Sequence, residues 1–213
     1  MPLPSRADTL ALMHQWTVSD SLRKHMLSVE AAMRAYASRL GGDSESWGIA
    51  GLIHDFDYER YPNGELKADA EHPAEGVRKL RELGYSDEIC DAVLGHAHYT
   101  GVARESQMAK ALFAVDELTG LITASTLVKP SKCIADVEVA GVRKKMKDKA
   151  FARGVNRDDV IQGAEALGVP LDEHIGVVLE AMRGVADTLA LDGRLAMGPM
   201  ASVAASTPPI GDA

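Results

Sequence analysis

Residues 106 to 127, SQMAKALFAVDELTGLITASTL, are apolar on more than one helical face, yet Asp116 stands in the middle. A helix greasy on several sides has to be surrounded by others. The segment is therefore expected to form the central helix of an all-α fold. An unpaired buried carboxylate is costly, so Asp116 needs partners from the neighbouring helices.

Those neighbours are legible. From Asp20 to Leu40, the positions Leu22, Met26, Val29, Met33, Tyr36 and Leu40 step by four and three, drawing one apolar stripe along a helix. Gly41 and Gly42 stop it. Asp43 or Ser44 can cap the next helix, which runs through Trp47, Leu52 and Ile53 to the pair His54 and Asp55. Pro62 to Gly64 is a turn. Pro73 suits the start of a helix carrying Val77, Leu80 and Leu83 up to Gly84, and Ser86 caps another with Ile89, Val93 and Leu94. Pro130 ends the central helix. A basic segment, 142 to 159, reads as one helix and a loop, and 156 to 168 and 172 to 191 as two more helices. Nothing alternates with the period of two that strands require. We expect one domain over 1–192, with a core at 20–127 and a C-terminal helical extension at 130–192. The Ala-, Ser-, Pro- and Gly-rich stretch 193–213 is expected to be a flexible tail.

The formal net charge of −8 argues against a nucleic-acid polymer as partner, because binding to a phosphate backbone calls for a basic balance. Cys90 and Cys133 form no CxxC pair and no disulfide framework. The start, MPLPSRADTLALMHQW, lacks the basic end and continuous apolar core of a signal peptide, and no run approaches the length of a membrane span. The expectation is a cytoplasmic protein with no membrane partner. Its oligomeric state is left open.

Four residues concentrate the chemistry. His25 lies beside the apolar stripe of its helix, and His54, Asp55 and Asp116 occupy similarly inward positions on others. Mixed imidazole and carboxylate donors suit zinc, iron or manganese, and facing helices of a bundle can supply them. Neighbouring residues on a helix point about 100° apart, so His54 and Asp55 share an ion most easily where their helix ends. His14 and His174 fall outside this pattern and read as surface residues.

In its order and intervals, H…HD…D with His25 inside HMLSVEAAM, the doublet His54–Asp55 and Asp116 inside LFAVDELTG, the chain resembles the HD-domain superfamily of metal-dependent phosphohydrolases over about residues 20–127. EHPAEGVRKL, with His72, resembles the HPxxG segment of members that hold two metals. GHAHYTG, with His96 and His98, lies where those members place another ligand. The residues alone do not choose between the two histidines; the family position favours His96. The resemblance implies that Asp55 bridges two ions, with His25, His54 and Asp116 completing one site and His72 and His96 the other. The chain departs from the related HDIGK form: it reads HDFDY, so the lysine is missing and Asp57 replaces a glycine. No GYP follows the later histidines, which weighs against a cyclic-di-GMP phosphodiesterase.

What the resemblance implies is an all-α HD-type hydrolase carrying one or two divalent ions (Mn, Fe, Mg, Co, Ni or Zn). Its reaction would be cleavage of a phosphate ester of a nucleotide or other small phosphorylated metabolite by a metal-bound hydroxide, with Asp55 and His54 at the catalytic centre. Two alternatives belong beside it: an HD-fold di-iron oxygenase, and a regulatory module with a closed structural metal. The basic run from Lys129 and Lys132 to Arg153 is either a solvated face or a phosphate clamp. Lys129 and Lys132, directly after the Asp116 helix, are the expected substrate contacts. Asp57, Glu59 and Arg60 are further candidates for contacts around the site.

Overall fold

The computed structural model describes residues 4–196. Among them it shows nine α-helices and no β-strand: α1 Arg6–Trp16, α2 Asp20–Leu40, α3 Ser44–Ile53, α4 Ala74–Glu82, α5 Asp87–His96, α6 Gln107–Leu127, α7 Val139–Met146, α8 Arg157–Leu167 and α9 Leu171–Arg183. No helix among the described residues is long and apolar enough to cross a membrane.

Short polar side chains start most of these helices by accepting from backbone N–H groups left free in the first turn. Ser19 does so for α2, Asp43 for α3, Ser86 for α5, Ser106 for α6 and Asn156 for α8. The helix α1 was not read from the sequence, although Ser5 and Asp8 form a full capping box at its start. It is pinned to the core by Arg6, whose Nε and a terminal nitrogen donate to the buried Glu30 at 2.6 and 2.8 Å. At the other end of α2, Gly41 takes φ of 74°, a left-handed cap that glycine adopts without a Cβ clash.

The largely apolar α6 is the axis, packed by α2, α5, α8 and α9. Close approach needs small residues. A Cβ on Gly163 of α8 would lie 2.4 Å from the Cα of Ala114, and one on Gly51 of α3 would lie 2.9 Å from the backbone nitrogen of Glu30 on α2. The first crossing seats α8 on the middle of α6 and the second seats α3 on α2; α2 also packs on α6, so His25, the His54–Asp55 pair and Asp116 come together.

Two sequence expectations change. The last helix, expected over 172–191, ends at Arg183, and residues 184–190 turn instead. The apolar period continues through Val185 and Leu189 because the turning chain still packs on the core, where Leu189 and Leu191 are buried. Ile134 N–H donates to the Leu191 carbonyl at 2.7 Å, stitching this return to the segment after α6. His174 is no surface residue. Fully buried on α9, it accepts from the Tyr36 hydroxyl at Nδ1 (2.5 Å) and donates from Nε2 to the Ala114 carbonyl (2.9 Å). Of the expected flexible tail, residues 193–196 are described and include a 3-10 turn, with Arg194 paired to Asp192. The remainder lies outside the described residues.

Candidate metal centre

The α3 helix ends at Ile53, and the chain turns immediately, so His54 and Asp55 leave the helix side by side and face the same space. His25 reaches it from α2, Asp116 from α6, His96 from the last residue of α5, and His72 from the loop just before α4. The space is a cleft of about 480 Å³.

Asp55 stands at the centre. Its Oδ2 lies 3.5 Å from His54 Nε2 and 3.7 Å from His25 Nε2. Its Oδ1 lies 3.4 Å from His72 Nε2 and 3.5 Å from His96 Nε2. Asp116 Oδ1 closes the first group, 2.9 Å from His25 Nε2 and 3.5 Å from His54 Nε2. Donor atoms that share an ion at about 2.1 Å each lie roughly 3 to 3.5 Å apart. In each of the two triads, His25/His54/Asp116 and Asp55/His72/His96, the donor atoms lie within 4.8 Å of one another, close enough for a small inward shift to close on an ion.

The second nitrogen of each ring decides which atom is offered. His54 Nδ1 donates to the Gly51 carbonyl at 2.8 Å and His96 Nδ1 to the Val93 carbonyl at 2.5 Å. His72 Nδ1 donates to Asp57 Oδ1 at 2.7 Å. The Thr119 hydroxyl is spent on the Asp116 carbonyl, so its oxygen accepts from His25 Nδ1 at 3.3 Å. With all four Nδ1–H groups committed, each Nε2 is the nitrogen turned inwards, the arrangement by which outer hydrogen bonds orient metal-binding histidines. His54 Nε2 is buried with no hydrogen-bond partner. That orphaned atom, among four imidazoles and two carboxylates, fits a divalent cation.

The electrostatics agree. Burial opposes charge on His54, but Asp55 and Asp116 outweigh it and raise the ring well above its ordinary value. Burial likewise opposes charge on both carboxylates. His54, His96 and His72 nevertheless hold Asp55 well below the usual range, and His25 and His54 do the same for Asp116. The pocket is built to keep two carboxylates ionised against positive charge. Beside them, burial together with Asp116 and Asp159 pushes Glu117 up to about 7.

Asp57 is the residue the sequence reading undervalued. It is buried; Oδ1 takes the proton of His72, and Oδ2 accepts from Gly76 N–H at 2.7 Å. A Cβ on Gly76 would sit 2.6 Å from that carboxylate. The glycine of HPAEG therefore makes room for the acid that replaces a glycine in HDFDY. Glu59 and Arg60 do not reach the cleft: Glu59 accepts from the N–H groups of Val18 and Ser19 ahead of α2, and Arg60 stacks on Trp16 at 4.2 Å.

His96, not His98, joins the cluster. The His98 side chain is 60% exposed, and its nearest acid is Asp159 at 4.0 Å. Lys129 and Lys132 are not brought to the cleft. From Asp116, α6 runs eleven residues to Leu127, about 16 Å at 1.5 Å per residue, and neither lysine is among the residues that line the cleft. Lys129 lines a different hollow with Lys144, Lys145 and Lys147, and the expected phosphate clamp at the metal site is not formed by either residue.

Comparison with known families agrees with this geometry: residues 22–121 match the family model of the HD domain. Residues 22–121 form a domain of the HD superfamily. The matched segment contains His25, His54, Asp55, His72, His96 and Asp116. Searches of curated proteins and of solved structures found no match to the chain. The superfamily is one of metal-dependent phosphohydrolases, and the HD fold accounts for the convergence of these residues; it does not by itself specify a substrate.

Proposed function

We propose that this HD-domain protein is a metal-dependent phosphohydrolase that cleaves a phosphate ester of a nucleotide or other small phosphorylated metabolite. The observation that carries the reading is the division of Asp55: each carboxylate oxygen faces its own pair of histidine Nε2 atoms. His25, His54 and Asp116 would hold one ion, His72 and His96 a second, and Asp55 both. Divalent ions held so close supply Lewis acidity and lower the pKa of a bound water.

The chain's own part is positioning. Gly51, Val93, Asp57 and Thr119 fix the four rings, so the donors do not have to reorganise during the reaction. Asp55 and Asp116 form the inner wall against which a phosphoryl group would rest, with the fully buried His54 beside them. Tyr58, whose ring meets His72 edge-on at 5.1 Å, and His98 stand at the mouth. The cleft is open on that side, unlike a closed structural site, which speaks against a purely regulatory metal.

The same six donors suit two irons, so an oxygenase is the second reading. Elemental analysis of protein purified without chelator, followed by phosphate release across nucleotides and sugar phosphates, separates them. Phosphate release with manganese, magnesium or cobalt supports hydrolysis. Bound iron with oxygen consumption and no phosphate release would overturn it.

A further inference from the structure

The cleft does not end at His25. Beyond that ring lies a second cavity of about 360 Å³, and His25 and Gly120 line both spaces. Gly120 follows Asp116 by one turn of α6, and its lack of a side chain leaves the junction wide. Ala124, Leu127, Leu189, Leu191 and Leu195 form the apolar wall of the second cavity, and Asp20, Ser21, Lys24, Ser28 and Thr123 form its polar edge. Leu127 and Leu195 are 41% and 48% exposed. A chain that leaves two leucines to water around a concave apolar space next to its reactive centre is offering a ligand surface.

Charge points the same way. Among the described residues, no Lys or Arg lines the metal cleft, whereas Asp55, Asp116, Glu117 and Asp159 all do. Among the described residues, the one Lys or Arg beside the apolar cavity, Lys24, is paired with Asp20 at 2.7 Å. Two divalent ions would offset the four carboxylates and serve a single phosphoryl group. Further phosphates would meet carboxylates with no cationic side chain to receive them.

We infer that the substrate is a phosphate monoester of an uncharged, largely apolar alcohol, whose alkyl or aryl part occupies the leucine-lined cavity past Gly120. The inference rests on the phosphohydrolase reading and narrows it: nucleoside di- and triphosphates are disfavoured.

The test is calorimetric binding of methyl-, butyl- and hexylphosphonate, whose carbon–phosphorus bond resists hydrolysis, to the full-length protein loaded with Mn²⁺. Burying each methylene is expected to tighten binding by up to about fourfold, giving a hexyl-to-methyl affinity ratio of at least about tenfold. Ala124→Phe fills the cavity and should bring the ratio close to one. Gly120→Leu should do the same by closing the junction; a Cβ there meets only Val155 Cγ2 at 3.7 Å, so the helix can accept it. A wild-type ratio near one, or a ratio that survives both substitutions, overturns the inference. Methylphosphonate binding that is indifferent to Mn²⁺ would instead undo the phosphohydrolase reading, and the chain-length ratio measured without metal would still report on the cavity.

Discussion

His54 and His174 are both fully buried histidines, and α6 serves both, yet they are finished differently. His174 has both nitrogens bonded, to the Tyr36 hydroxyl and the Ala114 carbonyl. His54 has one nitrogen bonded, to the Gly51 carbonyl, and the other left bare in front of two carboxylates. Burial pushes His174 down to about 4, so the ring stays neutral; at His54 the carboxylates reverse the same effect. A structural histidine closes its hydrogen bonds, whereas a ligand histidine keeps one nitrogen open and lets its surroundings wait for a cation.

The largest effect should follow from Asp55→Ala. Removing the shared carboxylate should abolish both bound metal and any hydrolysis, while far-UV circular dichroism keeps its helical signal. Metal retained at wild-type level would break the distinction between the two regions.

At the other region the profile should invert. His174→Ala leaves the Tyr36 hydroxyl short of its acceptor and opens a cavity, so denaturant unfolding should show a loss of about 2 to 4 kcal/mol. Metal bound per folded chain should not change. The pH dependence follows from the same ring. Above pH 6.5, its ordinary value, both folded and unfolded states hold it neutral. Between 6.5 and about 4 the unfolded state alone takes the proton, so stability falls as pH falls; below about 4 the loss levels off. The full cost is about 3 kcal/mol, and the difference in pH slope between wild type and His174→Ala isolates it.

Asp57→Asn sharpens the comparison within the cleft. An amide cannot accept from both His72 and Gly76 with two carboxylate oxygens, so His72 loses its orientation. Metal affinity at the Asp55/His72/His96 position should drop by about 10 to 100-fold, with the His25/His54/Asp116 position little affected. Equal losses at both would make Asp57 a general structural residue. The smallest effect is expected at Lys129→Ala, which should leave bound metal unchanged because the residue lies about three helical turns past Asp116.

Much of this was legible beforehand. The stripe from Leu22 to Tyr36 and the apolar α6 state their own periodicity, and the order of His25, His54–Asp55 and Asp116 along successive helices places them at one crossing. What escaped depended on contacts between distant segments. His174 looked like an exposed residue because its partners, Tyr36 and Ala114, are 138 and 60 positions away. Asp57 looked like a departure from pattern because its use is visible only with His72 and Gly76 beside it. Lys129 and Lys132 were misplaced by treating nearness in sequence to the Asp116 helix as nearness in space, although a helix carries its end away from its middle.

In the proposed centre Asp55 serves two ions at once. Titrating the metal-free protein with Mn²⁺, following stoichiometry by elemental analysis and coupling by electron paramagnetic resonance, tests that most directly. Two ions per wild-type chain with an exchange-coupled spectrum, falling to one uncoupled ion in His72→Ala, is the predicted result. A single uncoupled ion in the wild type, unchanged by His72→Ala, would contradict it.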